Sequence, residues 1–153
     1  MSNGQDVDLA VRLVEAADAE ALAGLMTELG YETRTSEMTM RLETIAADAR
    51  YRTCVAVSNG KICGMIGTIC YCSFEHNNPG GRILALVVSK DARRTGVGRR
   101  LIAAAESDFA QRNIQRVAVN THLTREDAHK FYQRVGYTSN GYRFVKTLAP
   151  LAD

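Results

Sequence analysis

The sequence has no tryptophan and only two prolines, Pro79 and Pro150, among its 153 residues. Neither proline divides the chain, no tract is low in complexity and no segment repeats, so one domain over residues 1–153 is expected. No apolar run approaches the ~20 residues a membrane-spanning helix needs, so no membrane partner is expected. The opening residues, MSNGQDVDLA, lack the basic and apolar regions of a secretory signal, and the cytoplasm is the expected location. Neither sign of charge dominates: 19 Lys and Arg against 17 Asp and Glu leave a formal +2. That small excess, the missing Trp and the absence of a nucleic-acid-binding motif argue against a nucleic-acid partner. The four cysteines, at 54, 63, 70 and 72, contain no C-x-x-C pair and no second ligand pair at a matching distance. Reduced, mostly buried strand cysteines are expected, and no metal site.

What is present is ordinary for a globular chain, with 46% hydrophobic and 24% charged residues. A chain of this length buries roughly 68–70% of its unfolded surface, enough for a core without disulfide or metal staples.

Asp8 to Val14 alternates and reads as an opening strand. Ala17 to Leu29 carries Ala21, Leu22, Leu25, Met26 and Leu29 on one side, the spacing of a helix, with Gly30 as its stop. Ser36 and Thr39 give a weak start signal for a second helix to about Ala49, with Met38, Leu42 and Ile45 apolar. Thr53 to Ser58 and Lys61 to Phe74 flank Asn59-Gly60, a hairpin signal. His76 to Gly81 reads as loop, and Ile83 to Val88 as a strand covered on both faces. Val97 to Arg112 steps Val97, Leu101, Ala105 and Phe109 four residues apart, with Ile102 beside them, and reads as an amphipathic helix. Arg116 to Asn120 reads as a short strand. Thr124 to Val135 is the last helix, with Thr124 accepting from the Asp127 amide, Ala128, Phe131, Tyr132 and Val135 as its buried stripe, and Gly136 ending it. Gly141 to Leu148 supplies final strand material. This order gives an α/β chain of α+β type, one sheet with helices on both faces.

The most informative stretch is LALVVSKDARRTGVGRRL, Leu84 to Leu101. A buried strand leads through a short polar connection into Arg93-Arg94-Thr95-Gly96-Val97-Gly98 and directly into a helix. Small residues at Gly96 and Gly98 let an anion approach the backbone, and the unpaired amides of a helix start point at it. Arg93, Arg94, Arg99 and Arg100 crowd positive charge at an end where cations are otherwise unfavourable, which makes sense if a polyphosphate sits there. The Walker phosphate loop is excluded, because its first Gly and its Lys-Ser/Thr pair are missing. The dinucleotide fingerprint is excluded too, since Leu101 stands where a third small residue is required. A basic, Gly-punctuated turn with no ligand is the plainer reading of the same residues.

Arg93-x-x-Gly96-x-Gly98 after a buried strand resembles the pyrophosphate-binding R/Q-x-x-G-x-G/A motif of the GNAT superfamily of N-acetyltransferases. Some 30 residues on, Ala128-His129-Lys130-Phe131-Tyr132-Gln133-Arg134-Val135-Gly136-Tyr137 resembles that family's A-x-x-F-Y-x-x-x-G-F/Y segment, and the elements between are of the expected lengths. The resemblance implies the GNAT fold, a mixed and mostly antiparallel central sheet flanked by helices on both faces. It implies acetyl-CoA as cosubstrate, no metal, and transfer of acetyl to a primary amine by direct attack in a ternary complex. By position, the main chain of Leu86, Val87 and Val88 bonds the pantetheine arm in a gap where the strand splays from its neighbour. Arg93, Arg94, Thr95, Gly96, Val97, Gly98 and Arg99 form the pyrophosphate loop, with the amides of Arg94 to Arg99 as its donors. Tyr132 matches the tyrosine that protonates the departing thiolate. A phenol of pKa ~10 does this for a thiol near ~8.5 only where geometry and local field assist.

Two departures stand out. Many members carry a Glu on the strand before the loop as general base, and here that strand reads Arg82-Ile83-Leu84-Ala85-Leu86. Glu75, His76 and His122 are the substitutes at strand ends, though each is more often an exposed polar residue. The usual Asn before the last helix is Arg125 here; Arg125 and Asn120 are the remaining candidates for contacts to the cofactor. His129 reads as a surface residue. The acceptor, a small-molecule or peptide amine, is expected between Gly30–Glu37 and His76–Gly81, where Glu28, Glu32, Glu37 and Glu75 make either an attractive site for a cation or a solvated face. Relatives are commonly dimers, so a homodimer is the assembly the resemblance allows. The missing Glu keeps a second reading open, a catalytically silent acyl-CoA-binding or sensing domain of the same fold.

Overall fold

A computed structural model describes residues 8–121 and 126–150. The chain divides into two compact units, Met1–Val119 and Asn120–Asp153. The larger holds one five-stranded sheet in the order β1 (Leu9–Leu13), β2 (Tyr51–Ser58), β3 (Lys61–Tyr71), β4 (Gly80–Val88) and β5 (Val117–Val119). Every pairing is antiparallel except β4 with β5, which is parallel. Asn59 and Gly60 join β2 to β3 with φ of 52° and 76°, the positive values a tight primed turn requires.

Helices α1 (Ala19–Leu29) and α2 (Thr35–Ala46) follow β1, and α3 (Val97–Gln111) follows β4. A single 3-10 turn, Ala16–Asp18, precedes α1, and Gly30 ends it at φ 115°. The start of α2 differs from the expectation at Ser36. Its cap is Arg34, whose backbone N–H donates to the Glu37 carboxylate at 3.0 Å, because a carboxylate at the third helical position satisfies that orphan donor better than Ser36 and Thr39 can.

The sheet carries a hydrophobic layer on each side. Leu22, Leu25, Met38 and Leu42 of α1 and α2 pack with Val55, Met65 and Val87. On the opposite face, Val97, Leu101, Ile102, Ala105 and Phe109 of α3 are all buried, as their four-residue steps predict. The two faces meet in β4 through a bulge: Thr68 pairs with Ile83 and Gly67 with Ala85, leaving Leu84 without a partner. A Cβ on Gly81 would touch Phe109 at 2.9 Å, so that end of the strand faces α3. Ala85 and Val87 pack with the α1–α2 layer instead. Leu84, expected to be covered, is 53% exposed because the bulge turns it out.

The smaller unit holds α4 (Glu126–Arg134). Tyr137 donates its N–H to the Tyr132 carbonyl at 2.9 Å, and Gly136 ends the helix at φ 99°. Ala128, Phe131, Tyr132 and Val135 are half-buried, not the fully buried stripe expected. The expected cap at Thr124 lies outside the described residues. Gly141 to Leu148 forms no strand, contrary to expectation, and Tyr142, Phe144, Val145 and Leu148 are exposed. Alternation alone does not make a strand: without a ladder partner its N–H and C=O groups gain nothing from extension.

Candidate functional site

The ladder between β4 and β5 ends at Ile83 opposite Val119. Beyond it, Leu86, Val87 and Val88 pair with Ile66, Met65 and Gly64 of β3 on one side. Among the described residues they have no ladder partner on the other. An unpaired stretch of strand main chain is a ready template for an extended, amide-bearing ligand.

The open edge leads into the basic loop. Lys90–Ala92 makes one 3-10 turn, with the Lys90 N–H donating to the Glu28 carboxylate at 3.2 Å. Arg93 is extended, and Arg94 and Gly96 then take φ of 65° and 86° on either side of Thr95. This alternation of handedness turns successive N–H groups toward one side, the geometry of an anion-binding nest. The Thr95 hydroxyl donates back to the Ala92 carbonyl and braces the turn. Gly96 is the N-cap of α3, and a Cβ there would meet no heavy atom within 4 Å, so the space beside the backbone is clear. Val97 is buried and anchors the helix, while Gly98 is half-buried. Arg93, Arg94 and Arg99 are exposed and pair with no carboxylate among the described residues. Arg100 turns back to donate to the Leu9 carbonyl at 3.1 Å. The first turn of α3 holds no acid. Clear backbone, a nest, a helix start and three unpaired guanidinium groups suit a diphosphate.

Next to the open edge, on the α1–α2 face, lies a cleft of about 160 Å³. Met26, Met38, Leu42 and Met65 wall it, and the bulge residues Leu84 and Ala85 border it. Arg41 is its single charged lining residue. Neither the cleft nor Arg41 was foreseen from the sequence, because Arg41 is unremarkable as one polar residue on a surface helix.

In the smaller unit, the Tyr132 ring lies between Phe131 and Tyr137, edge-on to both at centroid distances of 5.3 and 5.9 Å. The half-buried phenol is thus held in an aromatic cluster. Asn120 is exposed just past β5, and His129 is half-buried on α4. Arg125 and His122 lie outside the described residues.

The acidic residues do not converge. Glu37 is engaged by Arg34, through both Nε and N–H, and its carboxyl is held below the usual range by those bonds. Glu28 serves Lys90, and Glu32 is exposed. Glu75 and His76 are exposed on the β3–β4 connection, with their backbone N–H groups on the Ser73 hydroxyl at 3.1 Å. Among the described residues no three His, Cys, Asp or Glu could share a metal ion. All four cysteines are free: Cys63 is buried, Cys54 and Cys70 are half-buried, and Cys72, past the end of β3, is exposed. Burial pushes the Cys54 and Cys63 thiols up, away from reactivity. No helix of the described residues is long and apolar enough to cross a membrane.

Comparisons with known proteins bear on the fold and the family. Aminoalkylphosphonate N-acetyltransferase of Salmonella typhimurium (strain LT2) is 36% identical over 94 residues, which are 61% of this chain and 61% of the relative. The match thus spans less than two thirds of that relative's length. A solved GNAT family acetyltransferase from Staphylococcus aureus subsp. aureus USA300_TCH1516 superposes with a TM-score of 0.79 at 29% identity, covering 92% of this chain and 98% of its own. A transcriptional regulator from Bacillus halodurans C-125 reaches 0.85 at 17% identity, over 92% and 99%, a likeness of fold alone. The profile of the acetyltransferase (GNAT) family matches residues 16–137, which takes in β2 to β5, the basic loop, α4 and the chain on to Tyr137. The chain belongs to the acetyltransferase (GNAT) family.

Proposed function

We propose that this protein transfers an acetyl group from acetyl-CoA directly to a small primary amine, within a ternary complex and as a single domain. The observation that carries the reading is the continuity of an unpaired strand edge, Leu86 to Val88, with the clear-faced basic nest at Arg93 to Arg99. An acyl-CoA has matching parts in the same order: an extended, amide-bearing arm and then a diphosphate. Amides 94–99 hold the diphosphate, Arg93, Arg94 and Arg99 screen its charge, and the main chain of 86–88 aligns the arm. Bound in this way, the cosubstrate supplies an activated acyl carbon. The neutral amine adds to that carbon, the carbon–sulfur bond breaks, Tyr132 passes a proton to the departing sulfur, and the proton shed by the nitrogen returns through solvent to the phenolate. Asn120 and Arg125 are further contacts to the arm. The name of the Salmonella relative joins an amine to an acidic group, and a small acceptor of that kind is the class we propose.

Melting the protein with millimolar CoA tests the binding half: a ligand at 100 times its Kd adds about 2.7 kcal/mol, and an unmoved Tm overturns the reading. Thiol release with a panel of amines tests the chemistry. Tight CoA binding without amine-dependent thiol release would leave a silent CoA-binding domain. Tyr132→Phe is expected to lower kcat by about 10²-fold or more with CoA affinity within twofold, measured by stopped assay and calorimetry.

A further inference from the structure

We propose that the cleft beneath α2 seats the alkyl tail of an acyl group longer than acetyl, which extends the donors to linear acyl-CoA thioesters as long as hexanoyl. This rests on the acyl-transfer reading above and adds the part of the site that chooses the donor.

The chemistry of the wall selects the occupant. Met26, Met38, Leu42, Ile45 and Met65 present hydrocarbon and thioether, and the surface the cleft offers is almost wholly apolar. Arg41 contributes to the lining, but its guanidinium donates at 3.1 Å to the hydroxyl of Thr33, which lies outside that lining. The Thr68 hydroxyl donates to the Arg52 carbonyl at 3.3 Å. An ammonium, a carboxylate or a phosphate placed in the cleft would lose its hydration and find no partner. Water is poorly held there too, because it needs several polar partners. A saturated chain displaces such water favourably, and the methionines in the wall adjust their contacts to it.

Place agrees with that occupant. The open edge, the bulge and the cleft meet at one residue: the β5 ladder ends at Ile83, Leu84 has no partner on β3, and Leu84 and Ala85 line the cleft. An arm whose diphosphate lies in the nest runs back along Val88 to Leu86, and its acyl end then arrives at Ala85 and Leu84. Exposed Leu84 gives the mouth an apolar rim. Gly67, which pairs with Ala85, also lines the cleft, and a Cβ there would meet no heavy atom within 4 Å. The missing side chain keeps the space beside the strand open.

Size agrees as well. The cleft holds about 160 Å³, comparable to apolar cavities of about 150 Å³ that accept benzene. The methyl of an acetyl group would fill a small part of it. The alkyl tail of hexanoyl, close to benzene in carbon count, is of the right order.

The test is calorimetry without acceptor, using CoA and its acetyl, butanoyl, hexanoyl and dodecanoyl thioesters. Each methylene taken into the cleft should tighten Kd about fourfold, the equivalent of ~0.8 kcal/mol, and the gain should end near hexanoyl. Gly67→Leu fills the space and should cut the hexanoyl-to-acetyl affinity ratio by about 10-fold or more. Gly67→Ala, which takes the room of one methylene, should cut it about fourfold and supplies the readout if the Leu variant does not fold. Equal Kd values for acetyl- and hexanoyl-CoA in wild type overturn the proposal, as does a ratio unchanged in either folded variant. Affinity that keeps rising to dodecanoyl-CoA, the mark of non-specific adhesion, overturns it too. So does thiol release from acetyl-CoA that rises from ethylamine to hexylamine and loses that rise in Gly67→Leu, since the cleft would then serve the acceptor. If CoA itself does not bind, the acyl-transfer reading falls and this proposal with it. If CoA binds and tail length has no effect, this proposal alone falls. Length-dependent binding without amine-dependent thiol release upholds the tail site and removes the chemistry.

Discussion

The two faces of the sheet are packed to different standards. Against α3, Phe109, Leu101 and Ile102 are 1% exposed or less, and the gap lined by Ile66, Ala104 and Ala105 holds about 10 Å³, no more than one water needs. Against α1 and α2 the same sheet leaves the 160 Å³ cleft. That layer is fastened at its margins by polar contacts: Arg12 with Asp18, Glu28 with Lys90, and the relay from Thr27 through Thr33 to Arg41. The contrast assigns tasks. Dense apolar contact on one side fixes the sheet, and the other side leaves space for a guest without giving up the core.

Substitutions on the two faces can sharpen or break this division. Phe109→Ala should have the largest effect, about 3–5 kcal/mol by urea titration, since its cavity would open in the dense layer. Gly64→Ala comes next, at about 1–3 kcal/mol, because its Cβ would stand 3.0 Å from the Val87 carbonyl and 3.1 Å from both Val97 and Leu101. On the cleft side, acid should act first. The hydrogen bond from Arg12 holds the Asp18 carboxyl below its ordinary value, helped by the Glu15 N–H at 2.7 Å. A depressed folded-state value means that this stabilisation is complete above the unfolded pKa of about 3.9 and lost as pH falls through the folded one. Asp18→Asn should flatten that acid limb of a Tm-against-pH curve and cost roughly 1–3 kcal/mol at neutral pH. Gly67→Ala should be the mildest change, within about 0.5 kcal/mol, because its Cβ meets nothing within 4 Å and projects at the cleft. Equal costs at Gly64 and Gly67 would mean that the faces are packed alike, and the division would be wrong.

Local signals were legible in the sequence where the physics is local. The four-residue steps of α3, the Asn59-Gly60 turn and the glycine-arginine run at Arg93 to Gly98 each act through neighbours in the chain, and each stands in the structure. Tertiary decisions were not legible. The continuous apolar run from Ile83 to Val88 conceals the bulge, because a uniformly apolar strand shows no change of phase when it switches faces. Tyr142 to Leu148 reads as strand by composition, yet pairing is decided by what lies alongside. Arg41 was invisible for the same reason, since its lack of an acid partner follows from Arg34 claiming Glu37.

The unpaired Leu84 makes β4 a strand whose length matters more than its spelling. Upstream of it Gly81 faces α3, and downstream Ala85 and Val87 belong to the α1–α2 layer. Removing that one residue would restore unbroken alternation, so either Gly81 would be pulled from beneath Phe109 or Val87 would be rotated out of its cluster. Evolution can rewrite the side chain at 84, and with it the rim of the cleft, far more freely than it can delete the position. Specificity can drift at this spot while the frame of the molecule stays fixed.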